Sequence, residues 1–251
     1  MSDALDQVWL AGVDACRGGW IAAFVRPTGE YGQPRVFCRF ADILAAPERP
    51  LIIAIDVPIG LPERGGRNAE NAIRPQLGKL QRSVFPIPSR RAVFAELGPL
   101  VGQKAIYAAH QRACAVAVAT SEPPKRIPIQ TFGIFPKIRE VDTALRNDIK
   151  LIKRVYETHP ELAFWQINGR CPLNDSKKTD AGLAIRRQLL IDAGVPPNIA
   201  RNDPPKRSKP DDMLDALVCA TVARRIHTGI AESFPNPPSR DEFNLPMAIW
   251  A

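Results

Sequence analysis

Two apolar runs open the chain, Val8 to Val13 and Trp20 to Val25, separated by Asp14-Ala-Cys-Arg-Gly-Gly. Runs of that length around a glycine turn predict a β-hairpin. A second turn over 27–34 and the stretch from Arg35 to Phe40 predict a third antiparallel strand, followed by a short helix over 41–46. Leu51-Ile-Ile-Ala-Ile-Asp56-Val-Pro58 is apolar and β-branched at successive positions. That is the pattern of a strand buried on both faces, and Pro58 ends it. From Gly60 to about Pro99 no period holds, which predicts an elaborated loop with short helices.

Beyond that loop the pattern turns helical. Residues 102–120 are alanine-rich, and 136–146 follow with proline in the first turn. A strand is predicted over 151–157, then a helix over 178–193 that stops at Gly194 and Pro196. Leu214, Leu217, Val218, Thr221 and Val222 fall at helical spacing, so 211–225 forms an amphipathic helix. The tail from Phe234 is proline-rich extended chain, with Met247 to Trp250 as an edge strand. The order predicts an α/β protein with a mixed five-stranded sheet, three antiparallel strands and then parallel ones, flanked by helices. No repeat or linker divides it. The expectation is one domain over 1–251, with an insertion at about 60–148 and an extended tail at 234–251.

Composition changes this picture in three places. There are 25 prolines in 251 residues, roughly double the usual ~5%, which favours short elements with ordered connections. The five cysteines are scattered with no CxxC pair, which argues against a disulfide framework or a zinc knuckle. No apolar stretch reaches the ~18 residues of a membrane span, and the N-terminus lacks a signal peptide's pattern, so a soluble cytoplasmic protein is expected. The formal charge of +8 allows a polyanionic partner without specifying one.

Four acids occupy positions that make sense together. Asp14 ends the first strand and Asp56 the first parallel strand, so both can project from one sheet edge. Asp212 and Asp215 share a face at the start of the last long helix. Each alone reads as a cap or a turn residue. Assembled, their repulsion demands a counter-ion, and hard oxygen ligands suit Mg²⁺ or Mn²⁺. Two such ions about 4 Å apart can activate a water and stabilise the leaving oxygen of a phosphodiester. Glu157 and Glu161 follow a candidate parallel strand, and Glu157 is a further candidate ligand. His159 lacks a serine or cysteine partner by spacing, so a triad is poorly supported. Arg17, Arg67, Arg90, Arg91, Lys206, Arg207 and Lys209 are candidate phosphate contacts, with a solvated surface as the plain alternative. Asp14-Ala-Cys-Arg-Gly-Gly joins two strands and matches neither phosphate-loop pattern.

The strand-end Asp14, Asp56 after a parallel strand, and Asp212-Met-Leu-Asp215-Ala-Leu217 resemble the ribonuclease H-like superfamily, in particular RuvC-type resolvases. GVDACRGGW, IAIDVPIGLP, VFPIPSRRAVF, FPKIREVDTAL, YETHPELAF and KKTDAGLAIRRQLL together are similar to the DUF429 family of predicted nucleases. The resemblance spans about 8–225 and implies a ribonuclease H-like fold. It implies a metal-dependent nuclease in which Asp14, Asp56, Asp212 and Asp215 hold two Mg²⁺ or Mn²⁺ ions, with nucleic acid as partner. The chain departs from the RuvC pattern in carrying Asp56 where Glu is usual, and the insertion has no resolvase counterpart. A non-catalytic nucleic-acid or partner-binding protein of the same fold is the alternative. An actin-like phosphotransferase fits poorly, because it needs duplicated halves and a second phosphate-binding turn.

Overall fold

The computed structural model describes residues 8–251. β1 (Leu10–Cys16) and β2 (Gly19–Val25) form the predicted hairpin, with Leu10 opposite Val25 and Asp14 opposite Ile21. β3 (Arg35–Phe37) pairs antiparallel with β2 and stops short of the expected end, because Phe40 starts helix α1 (Phe40–Leu44) and is buried there. β4 (Ile52–Ile55) runs parallel to β1, and β5 (Val155–Glu157) runs parallel to β4. The sheet order is β3-β2-β1-β4-β5. This is the mixed α/β arrangement predicted from the pattern, and it agrees with a ribonuclease H-like description.

Strand periodicity then assigns the two faces. Val13, Ile53 and Ile55 share one core with Phe40, Ile43, Ala113, Ile138 and Leu145. Leu10, Ile52 and Ala54 share the other with Phe164, Leu190 and Leu217. β4 is buried on both faces, which is why its sequence is apolar at every position.

The insertion carries α2 (Asn68–Ile73), a 3₁₀ segment over Arg74–Ser83, α3 (Arg90–Val93), α4 (Gln103–Ala119), α5 (Ile129–Gly133) and α6 (Phe135–Asn147). α4 and α6 match the predicted helices to within a residue or two. The strand expected over 151–157 is shorter, because Ile149–Lys153 closes a 3₁₀ turn capped by Asp148, whose side chain accepts from Lys150 N at 3.0 Å. α7 (Pro160–Ile167) was not anticipated. Pro160 occupies its first turn and His159 caps it, accepting through Nδ1 from Glu161 N at 3.2 Å.

α8 (Asp180–Asp192) and α9 (Pro197–Ala200) precede α10 (Pro210–His227), which crosses the sheet face over β1, β2 and β4. The tail folds as a hairpin of β6 (Ser233–Arg240) and β7 (Pro246–Trp250), a second sheet bridged to the first through Thr158 and Trp250. Among the described residues no helix is long and apolar enough to cross a membrane.

The seating of α10 depends on Gly12. A Cβ there would lie 2.0 Å from Ala220 N and 2.2 Å from Ala216 O, both backbone atoms of the helix. Gly12→Ala is therefore expected to push α10 off the sheet and cost at least about 3 kcal/mol, the upper range for overpacking against atoms that cannot swing aside. Thermal unfolding against the parent checks this; an unchanged midpoint would show that the helix tolerates the displacement.

Candidate active site

The site follows from register. Gly12 and Ala54 lie under α10, so period-two alternation gives that face next to Asp14 on β1 and to Asp56 directly after β4. The pairing of Val13 with Ile55, and a hydrogen bond from Asp56 N to Val13 O at 2.9 Å, set the two acids side by side. On α10, Ala216 lies against Gly12, which sets Asp215 and Asp212 over the same sheet edge. Asp14, Asp56, Asp211 and Asp212 open onto a cavity of about 500 Å³, to whose lining the insertion contributes Phe85 and Lys137. Asp215 is almost wholly buried.

The electrostatics record the crowding. Burial pushes the Asp14 carboxyl well above the usual carboxylate range, and the charges of Asp56 and Asp215 push it further. Burial raises Asp56 to about 7, with Lys177 opposing and Asp215 adding to the shift. Asp215 is raised by burial against the pull of Lys177. Half-buried Asp212 is also raised by burial, while its Oδ2 accepts from Lys209 N at 2.9 Å as a helix cap.

One cation enters this group. Lys177 Nζ donates to Asp215 Oδ2, and although burial works against the ammonium, Asp215 and Asp14 hold it above the usual lysine range. Beside it, Lys178 Nζ pairs with Asp211 at the cavity rim. Sequence reasoning missed Lys177, Lys178, Asp211 and Lys137. The spacing of Asp211 to Asp215, one helical turn, was the available signal for the first three, since it offers two acids to the adjacent lysines of one loop.

Other expected residues are engaged elsewhere. Arg67 was expected to meet a phosphate; it is buried, its Nη1 donating to Glu157 Oε2 at 2.7 Å and to Ile59 O at 2.8 Å, with Glu70 on its other side. Glu157, expected as a ligand, also accepts from Ile59 N at 2.7 Å, so its carboxylate is taken up in holding the turn after Asp56. Burial pushes Glu157 to about 7, with Arg67 opposing. Arg90, likewise expected at a phosphate, is buried between Asp142 at 2.7 Å and Asp241 at 2.6 Å, joining α6 to the C-terminal hairpin. Both guanidiniums are buried against two carboxylates each, which takes them away from the solvent-side surface where a phosphate chain could meet them.

Arg17, Arg91, Lys206, Arg207 and Lys209 are exposed. Gly18 N donates to Arg207 O at 2.9 Å, which sets the 203–210 loop against the β1–β2 turn and gathers Arg17 and Arg207 at the acid-bearing edge. His159 lines the cavity but stays neutral, burial and Lys177 lowering it to about 4. Glu161 is held by Arg186 at 2.7 and 2.8 Å.

A family model described as "Protein of unknown function (DUF429)" matches residues 12–240, which contain Asp14, Asp56, Asp211, Asp212 and Asp215. The chain belongs to the DUF429 family. No curated protein and no solved structure matches it. The phrases that mark this DUF429 chain now have positions: GVDAC is β1 with Gly12 and Asp14, IAIDVPIG is β4 with Asp56 and the Glu157-held turn, and KKTD carries Lys177 to Asp215.

The donor set of this DUF429 protein is all hard oxygen, and Asp215 Oδ1 is buried with no hydrogen-bond partner, which fits a divalent cation chemically. Among the described residues no three His, Cys, Asp or Glu side chains already stand as a metal cage.

Asp56 carries a pH prediction for the chelated protein. Its folded pKa of about 7 lies above the ~4 of an unfolded chain. Its stabilising contribution is therefore complete below about pH 4 and lost as pH rises through about 7. With EDTA present, Asp56→Asn should raise the unfolding temperature at pH 8 by a few degrees, on the order of 1 kcal/mol, and flatten its fall between pH 4 and 8. A parent and variant that track each other across that range would contradict the crowding.

Proposed function

We propose that this protein is a divalent-metal-dependent phosphodiesterase acting on nucleic acid. One observation carries the reading: Asp14, Asp56 and Asp215, from two strand ends and a helix turn, are gathered around Lys177, burial raising each carboxyl and the charge of Asp215 raising Asp14 and Asp56 further. Such a group holds less negative charge than its residues can carry until more cation arrives.

Asp14, Asp56 and Asp215 would hold the cation, with Asp212 at the cavity side. A bound Mg²⁺ or Mn²⁺ supplies a water of lowered pKa and a counter-charge for the phosphate under attack. The chain's own groups do the rest. Glu157 and Arg67 hold the turn after β4 and so aim Asp56. Lys137, which stacks 4.3 Å over Trp20, offers an ammonium at the cavity wall. Arg17, Lys206, Arg207 and Lys209 form the exposed basic surface along which a phosphate backbone would lie.

The second reading, a binding protein without catalysis, draws support from Lys177, which already compensates part of the cluster. Cleavage of labelled single-stranded and duplex DNA and RNA with Mn²⁺ separates the two. Asp14→Asn is expected to reduce cleavage by about 10²-fold or more, the scale for loss of one electrostatic group at a reacting centre, and EDTA should abolish it. Equal cleavage by parent and variant, or binding that persists in EDTA without cleavage, would overturn the catalytic reading. Replacing Lys206 and Arg207 together by Ala should weaken binding and lower the salt slope by about one to two.

A further inference from the structure

Lys177 differs from an ordinary surface lysine in how it is held. The loop between α7 and α8 that carries it is anchored on three sides. Arg186, fully buried, donates to Asp175 O at 2.9 Å, and Thr179 Oγ1 donates to Ser176 O at 2.9 Å while capping α8 through Gly182 N. Lys178 clips the same loop to Asp211 on the first turn of α10. Between these anchors Lys177 is aimed inward, its side chain 30% exposed against 65% for Lys178. Its ammonium meets Asp215, which is 1% exposed, and its field reaches both Asp14 and Asp56.

Charge counting then limits what else the cluster can take. At the cavity side Asp212 is offset by Lys209 and Asp211 by Lys178, which leaves the inner trio of Asp14, Asp56 and Asp215; once ionised it carries three negative charges, and Lys177 returns one. Two remain, the charge of a single divalent ion. A second divalent ion would bring a net positive charge into a site where every interaction is strengthened by burial. The free Oδ1 of Asp215 lies on the carboxylate that Lys177 already holds through Oδ2, so one oxygen faces the ammonium while the other is left for a cation.

We infer that the ammonium of Lys177 takes the place of one of the two cations the acid cluster would otherwise bind, so that the site holds one divalent ion per chain with Lys177 as its permanent companion. This rests on the metal-dependent reading above and sharpens it. The lysine supplies a fixed positive charge beside the ion without a ligand set of its own, and the loop anchors keep it there.

Counting bound Mn²⁺ tests this directly, by calorimetric titration of the full chain and by electron paramagnetic resonance of the unbound ion. The parent is expected to bind one Mn²⁺, and Lys177→Gln two, the second occupying the space the ammonium leaves. Lys178→Gln, which removes only the rim charge, should still bind one. Lys177→Arg, which keeps the charge, should also bind one. Two ions on the parent would overturn the inference whether or not the Gln variant folds, and so would one ion on both the parent and a folded Lys177→Gln. No Mn²⁺ bound by parent or variant would remove the metal-dependent reading itself, and the inference with it.

Discussion

The contact between β1 and α10 at Gly12 is the constraint on which the rest depends. Backbone meets backbone there, with Ala216 and Ala220 as the small helix residues that permit it. Close approach does two things at once. It lets one long helix cover the central strands and close a core with Leu10, Ile52 and Ala54, each buried apolar side chain contributing about 1.5–3 kcal/mol. It also fixes the height of the next helix turn above the sheet, so that Asp215 arrives within the field of Asp14 and Asp56. A larger residue at position 12 would lift Asp215 away from Asp14 and Asp56, which the β1–β4 register holds side by side.

Around that contact, the buried charges fall into two sets. Arg67 with Glu157 and Glu70, Arg90 with Asp142 and Asp241, and Arg186 with Glu161 are close pairs deep in the chain. Removing one partner of such a pair typically costs 3–5 kcal/mol, because the other is left uncompensated. These pairs tie the insertion, the sheet and the C-terminal hairpin to one another, and Glu70, Glu157 and Glu161 among them line the cavity. Asp14, Asp56 and Asp215 form the other set, with one lysine among them. The contrast is what distinguishes a candidate site from ordinary buried polarity: in the framework each carboxylate is in direct contact with a guanidinium, whereas at the strand ends three carboxylates share one lysine.

Much of this was legible in the residues. The hairpin, the doubly buried β4 and the helix over 211–225 follow from period and composition, because burial on one or two faces writes itself directly into the pattern. The pairing of Asp14 with Asp56 was legible too, since both end strands whose register is set by the core. Arg67 and Arg90 were not. An arginine in a proline-rich loop looks the same whether it faces water or a carboxylate, and Glu157 lies 90 positions from Arg67, so nothing local marks the pair. Lys177 was hidden for a related reason: its partner lies 38 residues away, across a loop with no period of its own. α7 was lost because Thr158-His159-Pro160-Glu161 reads as a turn when the capping role of His159 is not considered.

The insertion has a physical role beyond connection. Without it, the acid edge would be an open sheet end, accessible from the whole side of the strands. With it, Phe85 and Lys137 line the same cavity of about 500 Å³ as Asp14 and Asp56, and Glu140 of α6 reaches back to accept from Trp20 Nε1 at 2.9 Å and so holds α6 to β2. A space of that size sits within the range for small-ligand pockets, far narrower than a groove that seats a continuous duplex. On the phosphodiesterase proposal, a strand would have to present its phosphate by one nucleotide or a few at a time, along the exposed basic edge that holds Arg17 and Arg207. Under that proposal the wall would make the sheet-edge site a selective one, and the selection would be steric before it is chemical.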